Sequence, residues 1–128
     1  MLLLDTCTFL WWATDSASIP EAVRERLRDP NEQVFLSSVS TWEICVKHAL
    51  GKLTLPVSPR DYVPDRRRRL AIEPLPLDEA DALAISKLPQ VHRDPFDRML
   101  VAQAISQELC IVTPDMAIRD YPCLTWWG

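Results

Sequence analysis

"DPFDRMLVAQAISQELCIVTPD" (94–115) decides the fold. It joins a long helical pattern to a short apolar run with almost nothing between them. Asp94 followed by Pro95 has the chemistry of a helix cap and first turn. "CIVT" is continuously apolar, as a strand buried on both faces must be. A helix that feeds straight into such a strand is half of a parallel βαβ unit. The same stretch carries three aspartates: Asp94 and Asp97 at the helix start, and Asp115 just beyond the strand.

Working outward, the same grammar recurs. "MLLLD" (1–5) and "QVFLS" (33–37) read as further buried strands. "TCTFLWWA" (6–13) turns helical. "SIPEAVRERLRDP" (18–30) reads as a helix with Ser18 as cap and Pro20 in its first turn. "SVSTWEICVKHALGKL" (38–53) reads as a helix ended at Gly51, with Trp42, Val46 and Leu50 on one stripe. Residues 58–70 are helical in pattern, with an interruption expected at Pro64. "AIEPLPL" (71–77) is expected to include a short strand, and 78–88 a helix capped by Asp78. "MAIRDYP" (116–122) is a last short helix and "CLTWW" (123–127) a terminal strand. Alternating short strands and helices predict one α/β domain over 1–128, with a mostly parallel sheet covered on both faces.

Composition narrows the chemistry. With 48% hydrophobic residues among 128, a core needs no disulfide or metal staple. The only glycines are Gly51 and Gly128, which excludes a Walker A loop and a GxGxxG turn. A net charge of −4 counts against a broad basic nucleic-acid surface, unless several acids are gathered around divalent cations. Cys7, Cys45, Cys110 and Cys123 form no CxxC and sit in apolar contexts, so they read as buried thiols of a reducing compartment. His48 and His92 are too few and too far from them for a zinc set. "MLLLDT" lacks the basic start of a signal peptide, and no apolar run reaches membrane-spanning length. A cytoplasmic protein is expected, with no membrane partner.

In an open parallel sheet, sites form beyond the C-terminal ends of the strands. Asp5 ends the first strand, Glu43 lies in the first turns after "QVFLS", and Asp115 follows "CIVT". Asp94 and Asp97 open a helix whose far end starts a strand, so they return to the same edge. Each acid has a local explanation. Asp5, Asp94 and Asp115 can cap helices, Asp97 can favour a helix dipole, and Ser40 with Glu43 matches a capping box, with Ser38 an equal candidate cap. Together they repel one another and raise each other's pKa, a conflict that a cation relieves. An all-carboxylate set selects a hard ion, Mg²⁺ or Mn²⁺.

The order and context of these acids resemble a known pattern. "LLLDTCTFLWW", "SSVSTWEICVKHALGKL", "HRDPFDRMLVAQA" and "IVTPD" together resemble a PIN-domain ribonuclease of the VapC type, the toxin of bacterial toxin–antitoxin pairs. The resemblance spans essentially the whole chain. It implies a PIN-like three-layer α/β/α fold and a Mg²⁺-dependent endoribonuclease, with Mn²⁺ as a substitute ion. It also implies an acidic quartet of Asp5, Glu43, Asp97 and Asp115. Asp5 and Asp97 would hold the principal ion, and Glu43 and Asp115 would complete the site through water or a second ion. RNA as substrate, a VapB-type antitoxin and a homodimer follow from the same resemblance.

Supporting residues have two readings each. Thr6 either begins a helix or hydrogen-bonds a ligand carboxylate or phosphate. Arg98 either pairs with Asp94 at i, i+4 or contacts phosphate. "RRRR" (66–69) points all round a helix, so part of it is a solvated face, with RNA or an acidic partner as the minority reading. Lys47 and Lys52 lie near the mouth of the site or in solvent. Trp11, Trp12 and Trp42 fill a core or a partner groove, and the antitoxin's groove would need residues such as Trp11 and Trp12. Among rivals, a haloacid-dehalogenase-like phosphatase wants an aspartate where Cys7 stands. A receiver-like module wants one where "VFLSS" supplies serines. A housekeeping RNA-processing PIN nuclease is the closest alternative.

Overall fold

Strands β1 (Leu2–Leu4), β2 (Val34–Ser37), β3 (Glu73–Leu75), β4 (Cys110–Val112) and β5 (Leu124–Trp126) lie side by side in one sheet. The order is β3-β2-β1-β4-β5, and every pairing is parallel. The structure, a computed structural model, describes residues 1–128. The helices are α1 (Thr6–Ala13), α2 (Glu21–Arg28), α3 (Ser38–Ala49), α4 (Pro59–Arg69), α5 (Glu79–Ala84), α6 (Pro95–Gln107) and α7 (Met116–Arg119). A 3₁₀ turn over Ile85–Lys87 extends α5.

Strand alternation sorts the core into two halves. Leu2 and Leu4 of β1 join Val34, Leu36, Phe9, Val23, Ile44 and Val63 on one face. Leu3 joins Ile111, Leu100, Val101, Ala104 and Ile118 on the other. Helices α1 to α4 therefore cover the first face, and α5 to α7 the second, giving three layers. Leu2, Leu3 and Leu4 are wholly buried, each worth roughly 1.5–3 kcal/mol of burial. That is why β1 reads as an unbroken apolar run.

The strand order fixes where a site can form. From β1 the chain moves through β2 to β3, then crosses back to place β4 on β1's other side. Helices leave in opposite directions at the β1/β4 boundary, which opens a crevice at the C-terminal ends of those two strands. Asp5 N donates to Val112 O across that boundary at 3.4 Å, and Thr8 Oγ1 donates to the same carbonyl at 3.1 Å.

Several local expectations need correction. Ser18 does not cap α2: Pro20 takes the N-cap position, with no side-chain bond. Ser37, not Ser38 or Ser40, caps α3, accepting from Val39 N at 3.0 Å. Pro64 sits inside α4 without interrupting it, since the buried Tyr62 and Val63 beside it anchor the helix against the missing backbone bond. The stripe on α3 faces outward. Trp42 is 59% and Leu50 64% exposed, while Val39, Ser40, Glu43 and Ile44 are buried. None of the four free cysteines is buried: Cys7 and Cys45 are exposed, and Cys110 and Cys123 half-buried. Asp78 does cap α5, in a reciprocal box with Asp81. No helix is long and apolar enough to cross a membrane.

Candidate metal centre

Three helices begin at the strand edge, and an aspartate caps each one. Asp5 Oδ1 accepts from Thr8 N at 2.8 Å at the start of α1. Asp94 Oδ1 accepts from Phe96 N and Asp97 N at 2.9 and 3.3 Å at the start of α6. Asp115 Oδ1 accepts from Ala117 N at 2.9 Å at the start of α7. The local explanation for these three acids is thus correct, and it is incomplete. Asp5, Glu43, Asp94, Asp97 and Asp115 also line one small pocket of about 190 Å³, together with Thr6, Cys7 and Lys47. Larger cavities exist, such as one of about 530 Å³ beside Trp12 and Leu27, but none gathers acids in this way.

Residues distant in sequence hold the acids. Thr113 Oγ1 donates to Asp5 Oδ2 at 2.5 Å and accepts from Asp115 N at 3.0 Å, tying the two strand ends together. Thr6 Oγ1 lies 2.6 Å from Glu43 Oε1 and 2.9 Å from Ser40 Oγ. A hydroxyl has one hydrogen to give, so Thr6 serves the carboxylate and Ser40 serves Thr6. Glu43 Oε2 pairs with Lys47, whose ammonium is held above its usual range mainly by that bond. His92 Nε2 stands 3.2 Å from Asp97 Oδ2.

The second oxygens remain open. Asp94 Oδ2, Asp97 Oδ1 and Asp115 Oδ2 take no hydrogen bond from the protein, although all three residues line the pocket. Burial pushes the Asp97 carboxyl up to about 7, reinforced by the charges of Asp94, Glu43 and Asp115. Burial also raises Asp5, against the bonds from Thr113 and Thr8. These acids therefore resist ionising together, and a bound cation would reverse that. The donors are nearly all carboxylate oxygen, which suits a hard divalent ion. His92, Asp94 and Asp97 place donor atoms within 4.8 Å of one another.

The other named residues divide. Thr6 is in the pocket. Arg98 is not, and it does not pair with Asp94: its Nη1 donates to Pro89 O and Tyr121 Oη at 2.9 and 3.1 Å. Arg66 and Arg69 pair with Asp65 on α4, leaving much of that run as a charged surface. Trp12 is buried in the core beneath Arg24 and Arg28, with only its edge at the cavity beside Leu27. Trp11 packs on Trp127, and Trp42 meets Phe96 edge-on at 4.9 Å. The sequence pattern does not single out Thr113 or His92 for the site, and it offers Ser40 only as a helix cap. For His92, a place two residues before a helix-capping aspartate is a usable signal.

Comparison with known proteins places this fold in a family. Residues 2–122 match the family model for the PIN domain. A 65-residue stretch is 38% identical to Ribonuclease VapC16 of Mycobacterium tuberculosis (strain ATCC 25618 / H37Rv), taking in 51% of this chain and 46% of that protein. The match thus spans about half the length of that curated relative. Among solved structures, VapBC2 from Rickettsia felis bound to a promoter DNA fragment is similar with a TM-score of 0.75 at 14% identity, covering 99% of this chain and 98% of that one. DNA-bound VapBC from Salmonella typhimurium gives 0.69 at 21%, again covering 99% and 98%. FitAcB from Neisseria gonorrhoeae gives 0.63 at 22%, covering 98% and 96%.

Proposed function

The chain belongs to the PIN-domain family, and from that premise we propose that it is the toxin of a VapBC-type toxin–antitoxin pair. In this reading it is an endoribonuclease that hydrolyses RNA phosphodiester bonds with Mg²⁺, or Mn²⁺ in its place, and a cognate VapB-type antitoxin silences it. One observation carries the reading: Asp5, Glu43, Asp97 and Asp115 converge on a single pocket at the β1/β4 crevice. The names of the relatives, a VapC ribonuclease and VapBC complexes, support it.

Asp5 and Asp97 would hold the ion directly, and Glu43 and Asp115 would complete the site through water or a second ion. A bound divalent ion supplies a water of lowered pKa and offsets charge on the pentavalent transition state. The protein's own part is to hold and orient. Thr113 and the Thr8 amide fix Asp5, and Thr6 fixes Glu43. Asp94 lines the same pocket with its second oxygen unbonded, so its capping role does not remove it from the site. Lys47 brings positive charge to the pocket, where a phosphodiester must approach a ring of acids. No side chain is needed as nucleophile. Burial of the Cys7 sulfur against the pocket, then the charges of Asp5 and Glu43, push that thiol up to about 11 although the residue is exposed. It stays neutral at physiological pH.

A homodimer and a cytoplasmic setting go with this assignment. Trp12 is too buried to meet a partner, whereas the exposed Trp42 and Leu50 on α3, and the half-buried Trp11, are apolar surface that a protein partner could cover. The test is Mg²⁺-dependent cleavage of structured RNAs by the wild type, Asp5→Asn and Asp97→Asn. Loss in both variants is expected, and equal cleavage by all three overturns the metal site. Growth arrest on expression, relieved by co-expression of a cognate antitoxin, separates the toxin from a housekeeping nuclease.

A further inference from the structure

We propose that His92 is a positioning residue for Asp97: its imidazole pins one carboxylate oxygen and leaves the other facing the cation. The inference rests on the metal-site reading above. Nε2 of His92 lies 3.2 Å from Asp97 Oδ2. The other ring nitrogen, Nδ1, accepts from the Asp94 amide at 3.4 Å. A nitrogen that accepts carries no proton, so the ring hydrogen belongs on Nε2, the nitrogen in contact with Asp97 Oδ2. Both nitrogens are then engaged. His92 has no lone pair for a metal, despite its closeness to the oxygens of Asp94 and Asp97.

The ring is held from behind. His92 lies in an irregular segment between the 3₁₀ turn and α6, where a side chain would otherwise be free to swing. Its backbone is clamped by one phenol. The His92 amide donates to Tyr121 Oη at 2.9 Å, and Tyr121 Oη donates back to the His92 carbonyl at 3.2 Å. Tyr121 is buried beyond α7. Arg98, next to Asp97 in sequence, donates both to Tyr121 Oη and to Pro89 O. Arg98 and Tyr121 thus lock the segment, the segment places the imidazole, and the imidazole sets the rotation of the Asp97 carboxylate. Partners of this kind commonly govern metal affinity by ten- to a hundredfold without touching the ion.

The test measures Mn²⁺ affinity by electron paramagnetic resonance on the full chain freed of partner, with Tm in EDTA measured alongside. His92→Ala should weaken Mn²⁺ binding roughly tenfold. His92→Gln, whose amide reaches about as far as Nε2, should restore it to within about threefold. Tyr121→Phe should fall between the two. Electron spin-echo modulation of the bound Mn²⁺ should show no coordinated nitrogen. Unchanged affinity in His92→Ala, a fall in Tm without a fall in affinity, or a coordinated histidine nitrogen each overturns the proposal while leaving the acidic site standing. A wild-type chain that binds no Mn²⁺ overturns both.

Discussion

Asp81, on α5 against α6, and Asp97, in the first turn of α6, are two carboxylates furnished in opposite ways. Asp81 is 1% exposed and surrounded by donors: Gln103 Nε2 at 3.3 Å, Gln107 Nε2 at 3.2 Å and the Asp78 amide at 3.4 Å. Gln103 also reaches Ser37 and Pro76 O, so the seam joins α5 and α6 to the end of β2. Asp97 has one side-chain partner, His92, and three acids around it. A buried carboxylate met by donors is part of the scaffold. One crowded by like charge, with an open oxygen, is prepared for a cation. Burial alone does not separate the two cases, and the count of donors does.

Exchanging the acids' fates tests that contrast. Asp81→Ala strips three donors of their acceptor and removes half of a capping box, so it should cost roughly 2–3 kcal/mol in denaturant unfolding. Its Mn²⁺ affinity should stay that of the wild type. Asp97→Asn should do the reverse, abolishing Mn²⁺ binding while raising stability in EDTA by about 1 kcal/mol, because a repelled charge is gone. A destabilised Asp97→Asn would make Asp97 a scaffold residue after all.

The pH dependence has a definite sign. Asp97 titrates at about 7 in the folded chain, against an ordinary value of 3.8. Between those values the folded state holds a proton that the unfolded state has lost, so metal-free stability falls as pH rises from about 4 to 7. Tm in EDTA should therefore be higher at pH 5.5 than at pH 7.5, and Asp97→Asn should flatten that slope. The smallest effect is expected at Lys47, whose side chain is 44% exposed. Lys47→Met removes a competing cation and should tighten Mn²⁺ binding only two- to fivefold. A loss of affinity would show that Lys47 supports the site instead.

The layers and the acidic edge were legible in the sequence because both follow from local patterns. Strands buried on both faces read as unbroken apolar runs, and an aspartate next to a helix start is recognisable whatever lies across from it. What was not legible depends on what lies opposite. Helical spacing shows that Trp42, Val46 and Leu50 share a face of α3, but not that this face is the outer one. The inner face mixes the core residues Val39 and Ile44 with Ser40 and Glu43, which turn toward the site, where Thr6 of another helix meets them. Arg98 had a good partner four residues away and took Tyr121 instead, because the folded chain brings a buried phenol within reach. Thr113 follows an apolar strand with nothing local to mark it, yet it joins Asp5 to the backbone of Asp115.

Calorimetric titration of Mg²⁺ into the metal-free chain at pH 6.5, repeated in buffers of different ionisation enthalpy, tests the central claim most directly. A cation that enters by displacing the proton of Asp97 must release protons to the buffer. Specific binding with a measurable proton release is expected, both lost in Asp97→Asn and both retained in an Asp81→Asn control. Binding that releases no protons, or that Asp97→Asn leaves unchanged, would contradict that claim.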